Sequence, residues 1–590
     1  MGSYTYERFA YRRPSDLDGT GAARPVVIVG AGPVGLTLAI DLALRGVPSV
    51  VLDDSDVVSI GSRAICWAKR TLEIWDRLGV ADRMVEKGVT WQVGRVFHRE
   101  RELYRFDLLP EAGHKMPAFI NLQQYYVEQY LVERARDFPD LIDLRWKNEV
   151  SDLRQDETGV TLTVTTPDGG YTLRADWVVA ADGARSPTRT RMGLPFRGQV
   201  FEERFLIADV RMQAPFPNER LFWFDPVFHA GGSALLHKQP DDVFRLDFQL
   251  GPDADPEAEK RPDRVIPRVR SVVGEATPFE LEWCSVYAFR CARLERFVHG
   301  RVVFSGDSAH VVSPFGARGG NGGIQDVDNL GWKLALVATG EAPTALLDSY
   351  DSERGHGADE NIANSSRTTT FMTPKSLAER RYRDGVLALA SDLPFARSLL
   401  NAGRLSKPCS LAGIGLQAGL SGEGGPPVVP EAGVPDAAGP RSMQDGASFE
   451  AELRPAPQDE EVRARADVAR PGTACPDAPI VGPDGRPGWL LDALARDFTL
   501  LIFRDEAAAP PSVPGVEVLV VARRGTPRPG IVVDIEALAH ARYGAGSGTA
   551  ILVRPDAHVA ARFAQFDPDA VAAALARATG RPVSADRIAA

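Results

Sequence analysis

Hydrophobic positions change rhythm along this chain, and each change predicts a different kind of element. Val26-Val27-Ile28-Val29 is a short continuous apolar run of strand type. Leu36, Ala39, Ile40, Ala43 and Leu44 then recur at helical spacing, up to a Gly46 suited to a left-handed C-cap. A second strand runs from Ser49 to Leu52. Leu72, Trp75 and Leu78 mark a helix that stops near Gly79, and Tyr126, Tyr130 and Leu131 mark another that starts near Leu122. Arg174–Ala181 reads as a strand with a buried centre.

From about residue 195 to 290 the pattern changes to strands joined by turns. Arg204–Arg211, Leu221–Phe228, Ser233–Lys238 and Val243–Leu250 predict an antiparallel sheet. In the last strand Phe244, Leu246, Phe248 and Leu250 alternate with Val243, Arg245, Asp247 and Gln249, so one face is apolar and the other mostly polar. Two readings stay open for the polar face: it roofs a pocket, or it meets solvent. Helical spacing then returns. A strand, Arg301–Ser305, leads to an amphipathic helix through Ile324, Val327, Gly331, Leu334 and Val337, and residues 341 to about 400 read as helical. A Gly- and Pro-rich stretch, about 411–440, reads as linker. Beyond it Trp489–Arg496, Phe498–Phe503, Val516–Val521 and Ile551–Arg554 alternate helix with strand, as in a small α/β domain.

Between the first strand and helix lies Gly30-Ala31-Gly32-Pro33-Val34-Gly35. In that context Gly30 permits a tight turn, Gly32 lets backbone approach a phosphate, and Gly35 lets helix pack on strand. The helix N-terminus then offers free amides and partial positive charge to an anion. Asp53, at the end of the second strand, stands where an acceptor for a ribose hydroxyl belongs. Far downstream, Gly306-Asp307-Ser308-Ala309-His310 offers a second carboxylate, and Pro314 with Gly319-Gly320-Asn321 offers a run of bare backbone amides. The two stretches describe one long dinucleotide held at both ends, which predicts tightly but noncovalently bound FAD. Three further residues have two readings each. Arg63 either pairs with phosphate or is a surface arginine. Gln123 either meets a ribitol or ribose or lies on a helix surface. Asp182, in Asp182-Gly183-Ala184-Arg185-Ser186-Pro187-Thr188-Arg189, either edges the nucleotide or only makes a turn.

Charge narrows the class. With 68 Lys plus Arg against 79 Asp plus Glu, the net −11 argues against nucleic acid or an anionic membrane as partner. No apolar run approaches the roughly 20 residues of a transmembrane helix. Residues 1–24 lack an apolar h-region and read as an N-terminal extension. The five cysteines are scattered, without metal-type spacing, and read as reduced thiols of a cytoplasmic protein with no metal site.

With both nucleotide motifs, the Asp-Gly turn and the β insertion in place, residues 25 to about 400 resemble the single-component FAD-dependent aromatic hydroxylases. The likeness is greatest to their phenol hydroxylase and 3-(3-hydroxyphenyl)propionate hydroxylase branch. It implies an α/β fold: a Rossmann-like FAD-binding domain (25–194 and 291–400) with an inserted antiparallel substrate-binding β domain (195–290). A linker (401–445) and a C-terminal thioredoxin-like domain (446–590) follow. Ala541-Arg542-Tyr543-Gly544-Ala545 and Leu552-Val553-Arg554-Pro555-Asp556 carry that last likeness, and no C-x-x-C accompanies it.

The resemblance implies FAD on Gly30, Gly32, Pro33, Val34, Gly35, Asp53, Arg63, Gln123, Asp182, Asp307, Pro314, Gly319, Gly320 and Asn321. It implies hydroxylation of a phenolic or other electron-rich ring with O2 and NADPH or NADH, through a C4a-hydroperoxyflavin. A Baeyer–Villiger or epoxidising oxygenase on the same fold is the alternative, and a non-enzymatic FAD-binding sensor the one outside the class. Only one Rossmann fingerprint is present, which fits a transient nicotinamide. A homo-oligomer, first a dimer, is expected. One departure matters: Ala64-Ile65-Cys66-Trp67 lacks the aspartate of phenol hydroxylase, so its base does not carry over. Candidates for the catalytic groups are therefore His237, Tyr287 and Arg318, with Trp223, Phe224, His229 and Arg245 lining the substrate pocket.

Overall fold

The computed structural model describes residues 4–19, 21–61, 63–399, 407–416 and 469–581. They separate into two compact units, the first made of the described residues up to 410 with 579–581 and the second of those from 411 to 578. Most of the 401–445 linker, and the next domain up to residue 468, lie outside the described residues.

The centre of the first unit is a parallel sheet. Its strands run in the spatial order Val302–Phe304, Gly169–Ala180, Arg24–Val29, Ser49–Asp53 and Ile142–Trp146. Ile28 pairs with Val51 on one side and Val179 on the other. At the sheet's centre both faces are covered, so Val26–Val29, Val50–Leu52 and Val178–Ala180 are continuously apolar rather than alternating. Helix Pro33–Leu44 covers one region and packs on a longer helix, Gly319–Ala338. The N-terminal extension does not hang free. Phe9 stacks on Trp146 with ring centres 4.4 Å apart, and the Tyr6 hydroxyl accepts a hydrogen bond from Gly61 N at 3.0 Å.

A second sheet of eight strands stands beside the first. Its order is His310–Val311, Phe279–Arg293, Arg197–Met212, Val243–Leu250, Ser233–Lys238, Arg220–Phe224, Val93–His98 and Arg101–Asp107. The strands expected within 195–290 locate most of this sheet but not its edge. The hairpin at 93–107 joins it from within the sequence assigned to the nucleotide domain, and Arg220–Phe224 pairs with it in parallel. The strand expected over Leu221–Phe228 ends at Phe224, because a 3-10 turn takes Val227–His229.

The apolar face of this sheet buries Phe244, Leu246 and Phe248 against Val265 and Val269 of helix Pro262–Val273. At one end of the opposite face Phe222, Phe224 and Phe289 meet Met372, Leu387 and Ala390 of the helices Leu346–Met372 and Leu377–Ala390.

Among its described residues the second unit has a seven-stranded sheet, with Thr499–Glu506 parallel to Glu517–Arg524 and antiparallel to Ala550–Val553. Trp489–Arg496 does not form a regular helix. It continues a three-residue strand into a single 3-10 turn, Leu491–Ala493, whose Leu491 amide donates to buried Asp477. Cys475 is buried in this unit's core, and none of the five cysteines forms a disulfide. No helix among the described residues is long and apolar enough to cross a membrane.

Candidate active site

One cavity of about 1090 Å³ lies in the first unit between the two sheets, lined by residues from both. Its nucleotide end begins at the turn after Arg24–Val29. Gly30 has φ +108°, and a Cβ there would press on Ala181 O at 2.5 Å. A Cβ on Gly35 would overlap Gly30 O, so this glycine serves helix-on-strand packing. Gly32 differs: a Cβ there meets nothing within 4 Å, because it faces the cavity. Pro33–Leu44 starts with no side-chain cap, and Gly32, Pro33 and Val34 all line the cavity. Gly319–Ala338 also starts without a side-chain cap, and Gly319, Gly320 and Asn321 line the same cavity. Two uncapped helix N-termini thus address one space, an arrangement that favours negative charge at both ends.

Several carboxylates line the wall between them. Asp53 accepts from Ala31 N at 2.7 Å and Ser55 N at 2.9 Å, and burial raises its pKa against those bonds. Asp307 follows Gly306 in a 3-10 turn, and burial raises its pKa also, opposed by His310 and Arg63. Asp182 accepts from Thr188 N through one oxygen, while its Oδ1 is buried without a partner. The other motif residues are structural. Ser186 caps the helix Pro187–Arg191, and Arg189 donates to Ser308 O and Ala184 O, both at 2.8 Å, clamping the two loops together. A glycine cradle, two uncapped helix ends and an orphaned carboxylate oxygen in one large cavity fit a dinucleotide.

The structure brings Arg63 and Pro314 to this cavity as well. Gln123 is elsewhere: its amide donates to Pro240 O, and the neighbouring Gln124 lines the cavity instead. The reason is local, since Gln123 is the N-cap of Gln124–Ala135 and its side chain turns back towards the β insertion. Gln124 Nε2 donates to Glu128, a buried acid that also receives Ser59 N and Ser59 Oγ. Asn321 presents only backbone. Its side chain accepts from Ala68 N and Thr71 Oγ1 and donates to Cys66 O and Ala317 O.

The far end is roofed by the polar face of the second sheet, which settles the open alternative in favour of a roof. Strand register arranges that face in rows. Arg245 lies opposite His237 on one neighbouring strand and opposite Asp209 on the other. Arg245 grips Asp209 with two hydrogen bonds of 2.8 Å, both side chains buried. In the next row Asp247 lies between Leu235 and Ile207, with Ser285 beyond Ile207. Arg220, Tyr287 and Cys66 complete the lining. Burial raises Asp247 to about 7. Burial lowers His237 well below the ordinary imidazole value, helped by Arg220 and Arg245, so this ring stays neutral near pH 7. Burial holds Tyr287 well above the ordinary phenol value, so it stays protonated.

Four of the seven residues expected at the pocket line it: His237, Tyr287, Arg318 and Arg245. The guanidinium of Arg318 donates to Asn361 Oδ1 at 2.9 Å. Trp223, Phe224 and His229 do not line it. Trp223 points to the opposite face of its strand and stacks on Phe97, as period two requires. Phe224 packs edge-on against Phe371 and Phe222 beyond the cavity's end. His229 lies past the strand, its Nε2 2.6 Å from Gln249 O. Asp247 and Arg220 are not among the expected pocket residues: alternation puts Asp247 on the face of Arg245, but only register across strands brings Arg220 to that face beside His237.

Comparison with known proteins agrees with this geometry. A family model described as an FAD binding domain matches residues 23–365, and one described as the C-terminal region of aromatic-ring hydroxylases matches residues 468–582. The first spans more than half of the chain, so the chain belongs to that FAD-binding family. FAD is its cofactor.

A 3-(3-hydroxyphenyl)propionate/3-hydroxycinnamic acid hydroxylase of Mycolicibacterium smegmatis is 30% identical over 370 residues, 62% of this chain and 65% of that protein. A flavin-dependent monooxygenase of Mycobacteroides abscessus is 34% identical over 350 residues, 56% of this chain and 70% of that protein. The match thus spans slightly less than two thirds of the first relative's length. The crystal structure of the flavin-dependent monooxygenase PieE with FAD and substrate superposes with a TM-score of 0.70 over 96% of this chain and 100% of that one. At 24% identity it shows the shared fold.

Proposed function

We propose that this protein is a monooxygenase that hydroxylates a phenolic or other electron-rich aromatic compound with O2 and NAD(P)H. The observation that carries the reading is the two-ended cavity: a dinucleotide cradle at one end and a polar, register-built roof at the other. Bound FAD, reduced by a transient nicotinamide, supplies the activation of O2. The chain's own part is to hold, orient and exclude water.

Gly30–Gly35, Asp53 and Asp307 hold the dinucleotide. The amides of Gly319 to Asn321, at the start of a 20-residue helix, stabilise negative charge that develops beside them. The apolar lining residues Leu235, Ile207 and Phe315 help to exclude water from the far end. The Arg245–Asp209 pair fixes the roof strands. Breaking it by removing one partner would cost about 3–5 kcal/mol.

The test is a panel of phenol, 4-nitrophenol, 3-(3-hydroxyphenyl)propionate and 1-naphthol with the FAD-loaded protein. NADH and NADPH consumption is recorded, and product mass is measured under 18O2. Stimulated consumption with one labelled oxygen in the product supports the reading. FAD-loaded protein that gives no oxygenated product from any of the four refutes it.

A further inference from the structure

The roof contains an acid that the sequence reading left among alternating polar positions. Asp247 lies at the centre of its row, flanked by Leu235 and Ile207, and lines the same cavity as Pro314 and Gly319 to Asn321. Its Oδ1 is buried and makes no hydrogen bond. Among the described residues neither Asp247 nor Arg220 has an ion-pair partner, although both line the cavity. A buried carboxylate oxygen and a nearby guanidinium, both unpaired, are costly unless something between them is bound. Resting on the monooxygenase reading, we infer that Asp247 accepts the proton of the substrate's phenolic hydroxyl and that Arg220 holds the resulting phenolate.

The step balances simply. The substrate O–H bond breaks, its electron pair stays on the phenolate oxygen, and the proton joins Asp247 as a carboxylic acid. No oxidation occurs. The phenolate so formed is the more electron-rich ring that oxygen transfer requires.

The surroundings favour Asp247 over its neighbours. On its own strand stands Arg245, already committed to Asp209 on Arg197–Met212. His237 on Ser233–Lys238 is held neutral by burial and by the two arginines. Tyr287 on Phe279–Arg293 keeps its proton, and burial lifts the Cys66 thiol to about 11. Arg220, on Arg220–Phe224, loses basicity to burial but is drawn electrostatically to Asp247 and Cys66. Asp247 itself, lifted by burial to about 7 against the pull of Arg245 and Arg220, changes protonation where a general base must. Its neighbouring aliphatic residues supply that burial.

The experiment compares FAD-loaded wild type, Asp247→Asn and Asp247→Glu, using the best substrate from the panel and 4-nitrophenol, whose nitro group acidifies the hydroxyl. The pH dependence of kcat/KM for product formation is measured, with flavin content as a check on folding. Wild type should show an acid limb near pH 7. Asp247→Asn should lose about 100-fold or more at pH 8 with the less acidic phenol. It should lose under about 10-fold with 4-nitrophenol, and its limb should follow each phenol's own acidity. Asp247→Glu should restore part of the rate. Equal losses for both phenols with the limb still near pH 7, or no loss at all, would overturn the assignment while leaving the monooxygenase reading intact. Wild type that oxygenates none of the panel would remove the reading and this inference together.

Discussion

Replacing Asp326 by Asn should weaken the cofactor unit from beneath, without touching the cavity. Asp326 lies on the helix Gly319–Ala338, fully buried, and its two oxygens serve three donors. Gly306 N donates at 3.0 Å, His310 Nε2 lies 2.6 Å away, and Arg354 Nε donates at 2.7 Å. The acid therefore ties the Gly306-Asp307 turn to two helices. Burial alone would make ionisation unfavourable, but His310 and Arg354 outweigh it and hold the carboxyl at about 2 rather than 3.8. That preference is worth about 2.5 kcal/mol of folding stability at neutral pH. Asn keeps an acceptor for Gly306 N but leaves the buried Arg354 without its counter-charge, a change that ordinarily costs about 3–5 kcal/mol. A loss of about 3 kcal/mol is expected.

The assay is urea unfolding of the FAD-loaded protein, followed by flavin fluorescence, for wild type and Asp326→Asn. The sign of the pH dependence is set by a folded pKa below the unfolded one. The wild-type advantage should be complete above about pH 4 and shrink as pH falls towards 2. FAD should also dissociate more readily from the variant, because the turn bearing Asp307 then hangs on a carboxamide that has lost its charged ties to His310 and Arg354. A difference below about 1 kcal/mol at pH 7 would refute the reasoning, as would one that widens on acidification.

The glycines of the cradle should separate by role. Gly32→Val should leave a folded apoprotein with FAD affinity reduced about 100-fold or more, near 2.7 kcal/mol, read by flavin content and thermal melting. Gly35→Ala should instead lower the melting temperature of the apoprotein itself, since the added Cβ overlaps Gly30 O. His237→Ala should leave the acid limb of kcat/KM where wild type has it, because a ring held neutral does not set that limb; a limb displaced by one pH unit would contradict this. Cys475→Ser should keep the hydroxylation rate, since that unit has no cysteine partner for a dithiol cycle, and a large activity loss with the fold intact would count against a structural role.

How much of this was legible depended on whether the signal was contiguous. The cradle from Gly30 to Gly35 and the Gly306-Asp307 turn could be read directly, because strand, turn and helix follow one another in sequence. Ser233–Lys238 and Val243–Leu250 match their expected bounds to the residue, and in the second the alternation of apolar and polar positions is a strong signal. Gln123 and Gln124 could not be told apart, since the direction of an N-cap side chain depends on Pro240, more than a hundred residues away. Trp223 and Phe224 looked alike as aromatic pocket residues, yet period two puts them on opposite faces. Asp326 and Arg354 carry no motif, and only the fold brings them under Gly306. The hairpin at 93–107 was missed because a strand pair recruited from outside an inserted region leaves no mark at the insertion's borders.

The unequal legibility has a chemical counterpart. The nucleotide end is built from contiguous loops that hold one dinucleotide through backbone atoms, so side-chain changes nearby alter it little. The roof is built from single positions on separate strands: Asp209, Arg220, Arg245, Asp247 and Tyr287. Register alone makes neighbours of them, and each can change without disturbing the alternation that forms its strand. A relative that keeps the cradle and alters these positions should bind the same flavin and accept a different ring. The reverse holds within this chain: exchanging Arg220 for Gln should shift which phenol of the panel is preferred while leaving FAD affinity within about twofold. If FAD affinity fell together with every phenol's rate, the two ends of the cavity would be one coupled site rather than a cofactor wall and a separate substrate roof.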